Sequence, residues 1–238
     1  MAKQNHTNMK FRLLFTISLL FCLGFTGQSQ VRTISLKKGE ALDLLLFTNH
    51  SDASELKTEY FSKAVSIARQ YGYTPQYSSA IKEPPLQGNY WPDVFIMATW
   101  KSYDERVKFT REIVLAYPEF HEMRRAIWPT FFLTYWKVEP DKSVEIHPDR
   151  HYIATAYWSQ EKELFDSFQQ QWQNTLSDHG GQVVLRLANG TSPFGYHYNP
   201  DLFTITEWDS QEAFEKFCLE NEQMDRSGVL HVNQFLIQ

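Results

Sequence analysis

The sequence predicts an α+β fold made of two tandem βαββαβ units. Three observations lead there: an internal repeat, an apolar helical stripe at the same place in each copy, and short strand-like runs around each stripe. Pro92 to Ser102, PDVFIMATWKS, reappears as PDLFTITEWDS from Pro200 to Ser210, an offset of 108 residues. The register continues without a gap on both sides. Lys108-Phe109 falls on Lys216-Phe217 and Gly72 on Gly180, while Leu56, Tyr60, Ala64 and Ala68 fall on Leu164, Phe168, Trp172 and Leu176.

Each copy opens with a short apolar run, 42–48 and 152–158. A helix follows. Leu56, Tyr60, Ala64, Ile67 and Tyr71 recur at helical steps and make one apolar face, which Gly72 closes as a C-cap. Leu164, Phe168, Trp172 and Leu176 form the second stripe, ended by Gly180-Gly181. A strand-turn-strand pattern comes next and finishes in the repeated Pro-Asp segment. Ser102-Tyr103-Asp104-Glu105 is a capping box that starts a second helix, and Ser210 starts its counterpart. A last apolar strand closes each copy, 130–138 and 229–237. The first copy carries an insertion before that strand, where Pro118 suits the first turn of a short helix running to Ile127. Six elements in this order make the ferredoxin-like arrangement. The chain divides into a signal peptide at 1–29, a first repeat at 30–140, a linker at 141–150 and a second repeat at 151–238.

Two tandem units of this kind, with Tyr71-Gly72 or His179-Gly180 after the first helix and a Trp-x-Ser step from strand to helix, resemble the dimeric α+β barrel superfamily. The segments Leu86-Gln87-Gly88-Asn89-Tyr90-Trp91-Pro92 and Pro118-Glu119-Phe120 are similar to one of its small families of unknown function. The resemblance covers residues 41–238. It implies two four-stranded sheets facing one another around a cavity, here both from one chain, forming a pseudo-dimeric barrel and a monomer. It does not imply one activity, because relatives include cofactor-free monooxygenases, isomerases and haem-binding enzymes.

The first residues read as an address. Lys10 and Arg12 precede a thirteen-residue apolar run, Leu13 to Phe25, and Gly27-Gln28-Ser29 offers a cleavage site. The run is too short for a membrane span. Phe21 before Cys22 breaks a lipoprotein signal. Cleavage after Ser29 removes Lys3, Lys10 and Arg12 and takes the formal charge from −5 to −8. An acidic exported chain, periplasmic or extracellular, gives no basic footprint for nucleic acid. Only Cys218 remains in the mature chain, so no internal disulfide staples it.

Strand alternation sorts the candidate site residues. Phe95, Met97, Phe203 and Ile205 share one parity and read as the helix-covered side. Ile96, Ala98, Thr204 and Thr206 share the other and read as the cavity lining. In the last strand His231 and Asn233 alternate with Leu230 and Val232 and suit a ligand-facing wall. Tyr157 and Arg186 are further candidates for polar contacts inside the barrel. His231 is the candidate catalytic base. His121, beside Glu122, Arg124 and Arg125, suits an anionic ligand or a surface helix, and Cys218 reads as a packed core residue. His147 and His151 flank Pro148 in a turn with no third ligand, so no metal site is expected.

The expected function is binding of a small, largely apolar molecule in the barrel. The alternatives are a cofactor-independent monooxygenase or isomerase, a haem-binding protein, and a pure interaction module. No cofactor is expected, with haem left open.

Overall fold

The computed structural model describes residues 30–237; the expected signal peptide at 1–29 lies outside the described residues. Strand β1 (Arg32–Leu36) precedes the first repeat. That repeat then runs β2 (Ala41–Thr48), α1 (Ser54–Tyr60), a π-helical turn (Phe61–Val65), α2 (Ser66–Gln70), β3 (Thr74–Ala80), β4 (Val94–Trp100), α3 (Tyr103–Ala116), the added helix α4 (Phe120–Ile127) and β5 (Thr130–Lys137). Strand β6 (Lys142–Ile146) leads into the second repeat. It contains β7 (His151–Ser159), α5 (Lys162–Asp178), β8 (Gln182–Ala188), β9 (Leu202–Trp208), α6 (Gln211–Asn221) and β10 (Val229–Ile237).

The two four-stranded sheets run in the orders β3-β4-β2-β5 and β8-β9-β7-β10, with every neighbouring pair antiparallel. This is the ferredoxin-like order twice over, and the fold is the α+β barrel closed within one chain. The local signals hold. Gly72 ends the first helix at φ +81°, and a Cβ there would meet the Lys101 Cβ at 2.5 Å, so only glycine fits both the left-handed turn and the close approach. Ser102 Oγ accepts from Glu105 N at 3.1 Å and Ser210 Oγ from Ala213 N at 3.2 Å, each capping its helix.

Two expectations need correction. The segment expected as a linker contains a strand. Val144 and Ile146 are buried while Ser143 and Glu145 face outward, and β6 pairs antiparallel with β1 through Ile34 opposite Val144. Ile34, Leu36, Val144 and Ile146 all join the core between the sheets, so this small sheet extends that core.

The parity of the repeated strands is also reversed. Phe95, Met97, Phe203 and Ile205 are fully buried and face the opposite sheet, with the Phe95 and Phe203 rings stacked 6.3 Å apart. Leu42, Leu44, Leu46, Ala154 and Phe235 complete the contact. The sheets meet through large apolar side chains. Side-chain size, not polarity, marks the side that meets the other sheet, so Ile96, Ala98, Thr204 and Thr206 face the helices.

Each half also adds one bridge to an outer strand of the other half's sheet, β10 and β5, while β3 and β8 remain edge strands. Gln87 bridges to Gln234 in β10, where Gly88 at φ +85° passes so close to β10 that a Cβ would meet the Val232 carbonyl oxygen at 2.4 Å. Reciprocally, Thr191 and Tyr135 in β5 exchange two backbone hydrogen bonds of 2.9 Å.

Candidate functional site

The alternation that turns Leu42, Leu44 and Leu46 toward the other sheet turns Asp43, Leu45 and Phe47 of β2 toward the helices. A cavity of about 80 Å³ lies there, between the first sheet and its helices. Its floor includes Asp43, Ile96 and Trp100; its helical wall includes Ala64 and Ala68, and the π-helical turn contributes Phe61, Ala64 and Val65. Single π-helical turns inside α-helices are rare and recur at functional sites.

Two arginines enter this space. Arg106 of α3 is 1% exposed, and its Nε donates to both oxygens of Asp43, at 2.8 and 2.9 Å. The guanidinium lies over the rings of Tyr135 and Trp100, 4.4 and 4.9 Å from their centroids. Burial raises the pKa of Asp43, and the Arg106 charge opposes that rise. Arg124, from the added helix α4, is 8% exposed. Its Nε donates to Tyr60 Oη and its Nη1 to Tyr196 Oη, each at 2.6 Å. Burial raises the pKa of Tyr60, with the nearby Arg124 opposing, and of Tyr73, so both phenols stay neutral. Tyr196 comes from the loop after β8, so the second half of the chain helps to hold Arg124, while the cavity lining itself comes from the first repeat.

The second repeat supplies an internal comparison. Met97 pairs with Leu44, and its counterpart Ile205 pairs with Ala154, so the first strands correspond at an offset of 110 residues. Asp43 therefore corresponds to Ile153. Arg106 corresponds to Phe214 at the repeat offset, and Ile153 and Phe214 share one apolar core. Ala64 and Ala68 correspond to Trp172 and Leu176, both buried in that core. Where the first repeat has an ion pair and space, the second has packed hydrocarbon and indole. Arg124 and the rest of α4 have no counterpart, because the second repeat lacks the insertion.

The structure does not gather the expected site residues. Thr204 and Thr206 lie on the helix-covered side of β9. Thr206 Oγ1 accepts from Trp208 Nε1 at 2.9 Å, whereas the buried Thr204 hydroxyl has no partner among the described residues. Tyr157 is on the same side, packed on Phe165, Phe168 and Trp172. Arg186 sits on the exposed face of the edge strand β8, with its Nη2 on Gln169. Asn233 does face the inter-sheet space, donating to the Tyr90 carbonyl at 2.9 Å and accepting from Tyr198 at 3.3 Å. His231 is exposed at the rim, its ring 5.0 Å from that of Trp158. Cys218 packs against the second helix core, and burial pushes its thiol up to about 11, which fits a packed residue.

Haem, which the resemblance left open, does not fit this cavity. An axial ligand such as histidine is needed. None of the lining residues is a histidine, and the volume is far below that of the macrocycle. His121 stands outside it against Phe194, and burial with the neighbouring charges of Arg124 and Arg125 lowers its pKa.

No family model matches the chain, and no curated protein sequence matches it. Among solved structures, chlorite dismutase from Candidatus Nitrospira defluvii in complex with imidazole is 9% identical, covering 85% of this chain and 92% of its own, with a TM-score of 0.49. An anthrone oxidase-like protein is 15% identical, covering 87% of this chain and 94% of its own, with a TM-score of 0.44. Neither likeness bears on activity.

Proposed function

We propose that this protein binds a small, largely apolar molecule, and that the site is the cavity between the first sheet and its helices. The observation that carries the reading is the asymmetry of the repeats: one plan, packed solid at Trp172 and Leu176 in the second copy and left open at Ala64 and Ala68 in the first. Fold stability does not explain the difference. Replacing a buried ion pair by apolar residues is often neutral or stabilising by about 1–4 kcal/mol, and the second repeat has that replacement at Ile153 and Phe214. Retaining Asp43 and Arg106 where a packed alternative is available fits selection for a site.

The size of the space limits the occupant. An engineered apolar cavity of about 150 Å³ takes benzene. A cavity of about 80 Å³ encloses only part of a molecule of that size, such as a branched three-carbon end. Isobutyramide is a suitable neutral probe. Titrated into the full mature chain and followed by NMR, it is expected to saturate in the millimolar range, worth about −4 kcal/mol. A linear, unsaturable response at the resonances of Ala64, Ala68 and Trp100 would reject the reading.

One observation favours a second reading, an enzyme that moves a proton without a cofactor. Asp43 is a carboxylate buried in the same cavity with a raised pKa, as suits a general base, whereas His231 stands at the exposed rim. Asp43→Asn distinguishes the two once urea unfolding shows that it folds with Arg106 uncompensated: folded, a binding protein keeps its ligand and an enzyme loses turnover.

We further propose that the chain is exported and acts as a monomer. The positively flanked apolar run at 13–25 supports export, and the packing of two four-stranded sheets from one chain on each other supports a monomer. Native mass spectrometry of protein recovered outside the cytoplasm should return one chain beginning at Gln30. A dimer, or a chain retaining residues 1–29, would count against this.

A further inference from the structure

Within the cavity, we propose that the occupant is a small carboxylic acid bound as its anion, its carboxylate held by Arg124 together with the hydroxyl of Tyr60, both of which line the space. This rests on the reading of the cavity as a ligand site and adds the charge of the ligand.

Arg124 is the unusual group. Its guanidinium is sandwiched between the rings of Phe120 and Phe131, 4.1 and 4.2 Å from their centroids, so its donors are usable only around its edge. Two neutral phenols take part of that edge, and the rest of the donor fork has no acceptor among the described residues. No carboxylate among the described residues pairs with it. The carboxylate of the same cavity, Asp43, is engaged by Arg106, so the three charges in this space leave one positive charge over. A cation withdrawn from most of its water, at 8% exposed, and hydrogen-bonded only to neutral groups is poorly compensated.

The phenols point the same way. A hydroxyl that accepts from Arg124 keeps its own proton to donate. Tyr60 has no acceptor for that proton among the described residues, and Tyr196 has only a long 3.5 Å contact with His121 Nδ1. A carboxylate beside Arg124 would accept from the planar fork and from the Tyr60 hydroxyl, which is how strong charge-assisted binding of this group is built. The apolar lining at Ala64, Ala68 and Leu45 would then receive the hydrocarbon end. The second repeat lacks Arg124 and the space together, so cation and cavity belong to one device.

Isobutyrate and isobutyramide have nearly the same shape and differ in charge, so they test the assignment on the full mature chain by NMR titration at pH 7. Wild type is expected to bind isobutyrate at least tenfold more tightly than isobutyramide. Arg124→Met should erase that preference while retaining the amide. Should Arg124→Met fail to fold, Tyr60→Phe removes one donor and should weaken isobutyrate severalfold with little change for the amide. Equal or tighter binding of the amide by wild type would overturn the carboxylate assignment and leave the cavity reading standing. Failure of both probes to bind would overturn both.

Discussion

Asp43→Ala is expected to destabilise the fold by about 3–5 kcal/mol, the cost of leaving a buried charge without its partner. Arg106 is 1% exposed, with aromatic rings on its guanidinium, so it cannot reach water once the carboxylate is gone. The paired substitution should behave differently. Asp43→Ile with Arg106→Phe installs the residues the second repeat already uses at these positions and removes both charges together. Its stability should equal that of wild type or exceed it by up to about 4 kcal/mol. Urea unfolding of the three proteins measures both effects. Should the double variant lose as much as Asp43→Ala, the ion pair would be structural, and its retention would say nothing about a site.

Ala68→Leu is expected to produce the largest functional effect, a loss of isobutyramide binding of at least tenfold. Ala68 is a buried wall of the cavity, and Leu176 occupies the corresponding position in the second repeat. The added isobutyl group competes for the volume the ligand needs. Filling a void with hydrocarbon commonly adds about 0.5–2 kcal/mol of stability. Binding should therefore fall while the urea midpoint rises, a combination that general damage to the fold cannot produce. Unchanged binding in a stabilised variant would place the ligand elsewhere.

Much of the fold is legible in the sequence because its signals are local. Gly72, Gly180, Ser102 and Ser210 act within a few residues of themselves, and the stripes from Leu56 and Leu164 need only helical spacing. The strand at 142–146 has a readable alternation, with Val144 and Ile146 inward, but five residues carry little weight without the pairing partner at Ile34. Strand parity is a different kind of problem. Alternation separates the two faces of β4 and β9 and does not say which face meets helices, and here the larger side chains of both sheets meet each other.

The site was half visible. The correspondence of Ala64 and Ala68 with Trp172 and Leu176 lies in the repeat alignment itself, and its meaning, space in one copy and none in the other, needs only side-chain volumes. Asp43 was hidden because its strand aligns at an offset of 110 residues, and at 108 it faces His151 instead of Ile153. In the sequence Arg124 is one of several charges on a short helix. Nothing local marks it as buried, because its burial depends on Tyr196, 72 residues away and supplied by the other half of the chain.

The first repeat keeps an open cavity at a place the second repeat has filled. Xenon enters apolar voids in proteins, so a crystal structure of the wild-type chain under xenon pressure is expected to show xenon beside Ala64, Ala68 and Trp100 in the first repeat. None is expected beside Trp172 and Leu176 or between Phe95 and Phe203. Xenon between the sheets, or an unoccupied first-repeat cavity, would mean that the open space is not where the ligand site has been placed.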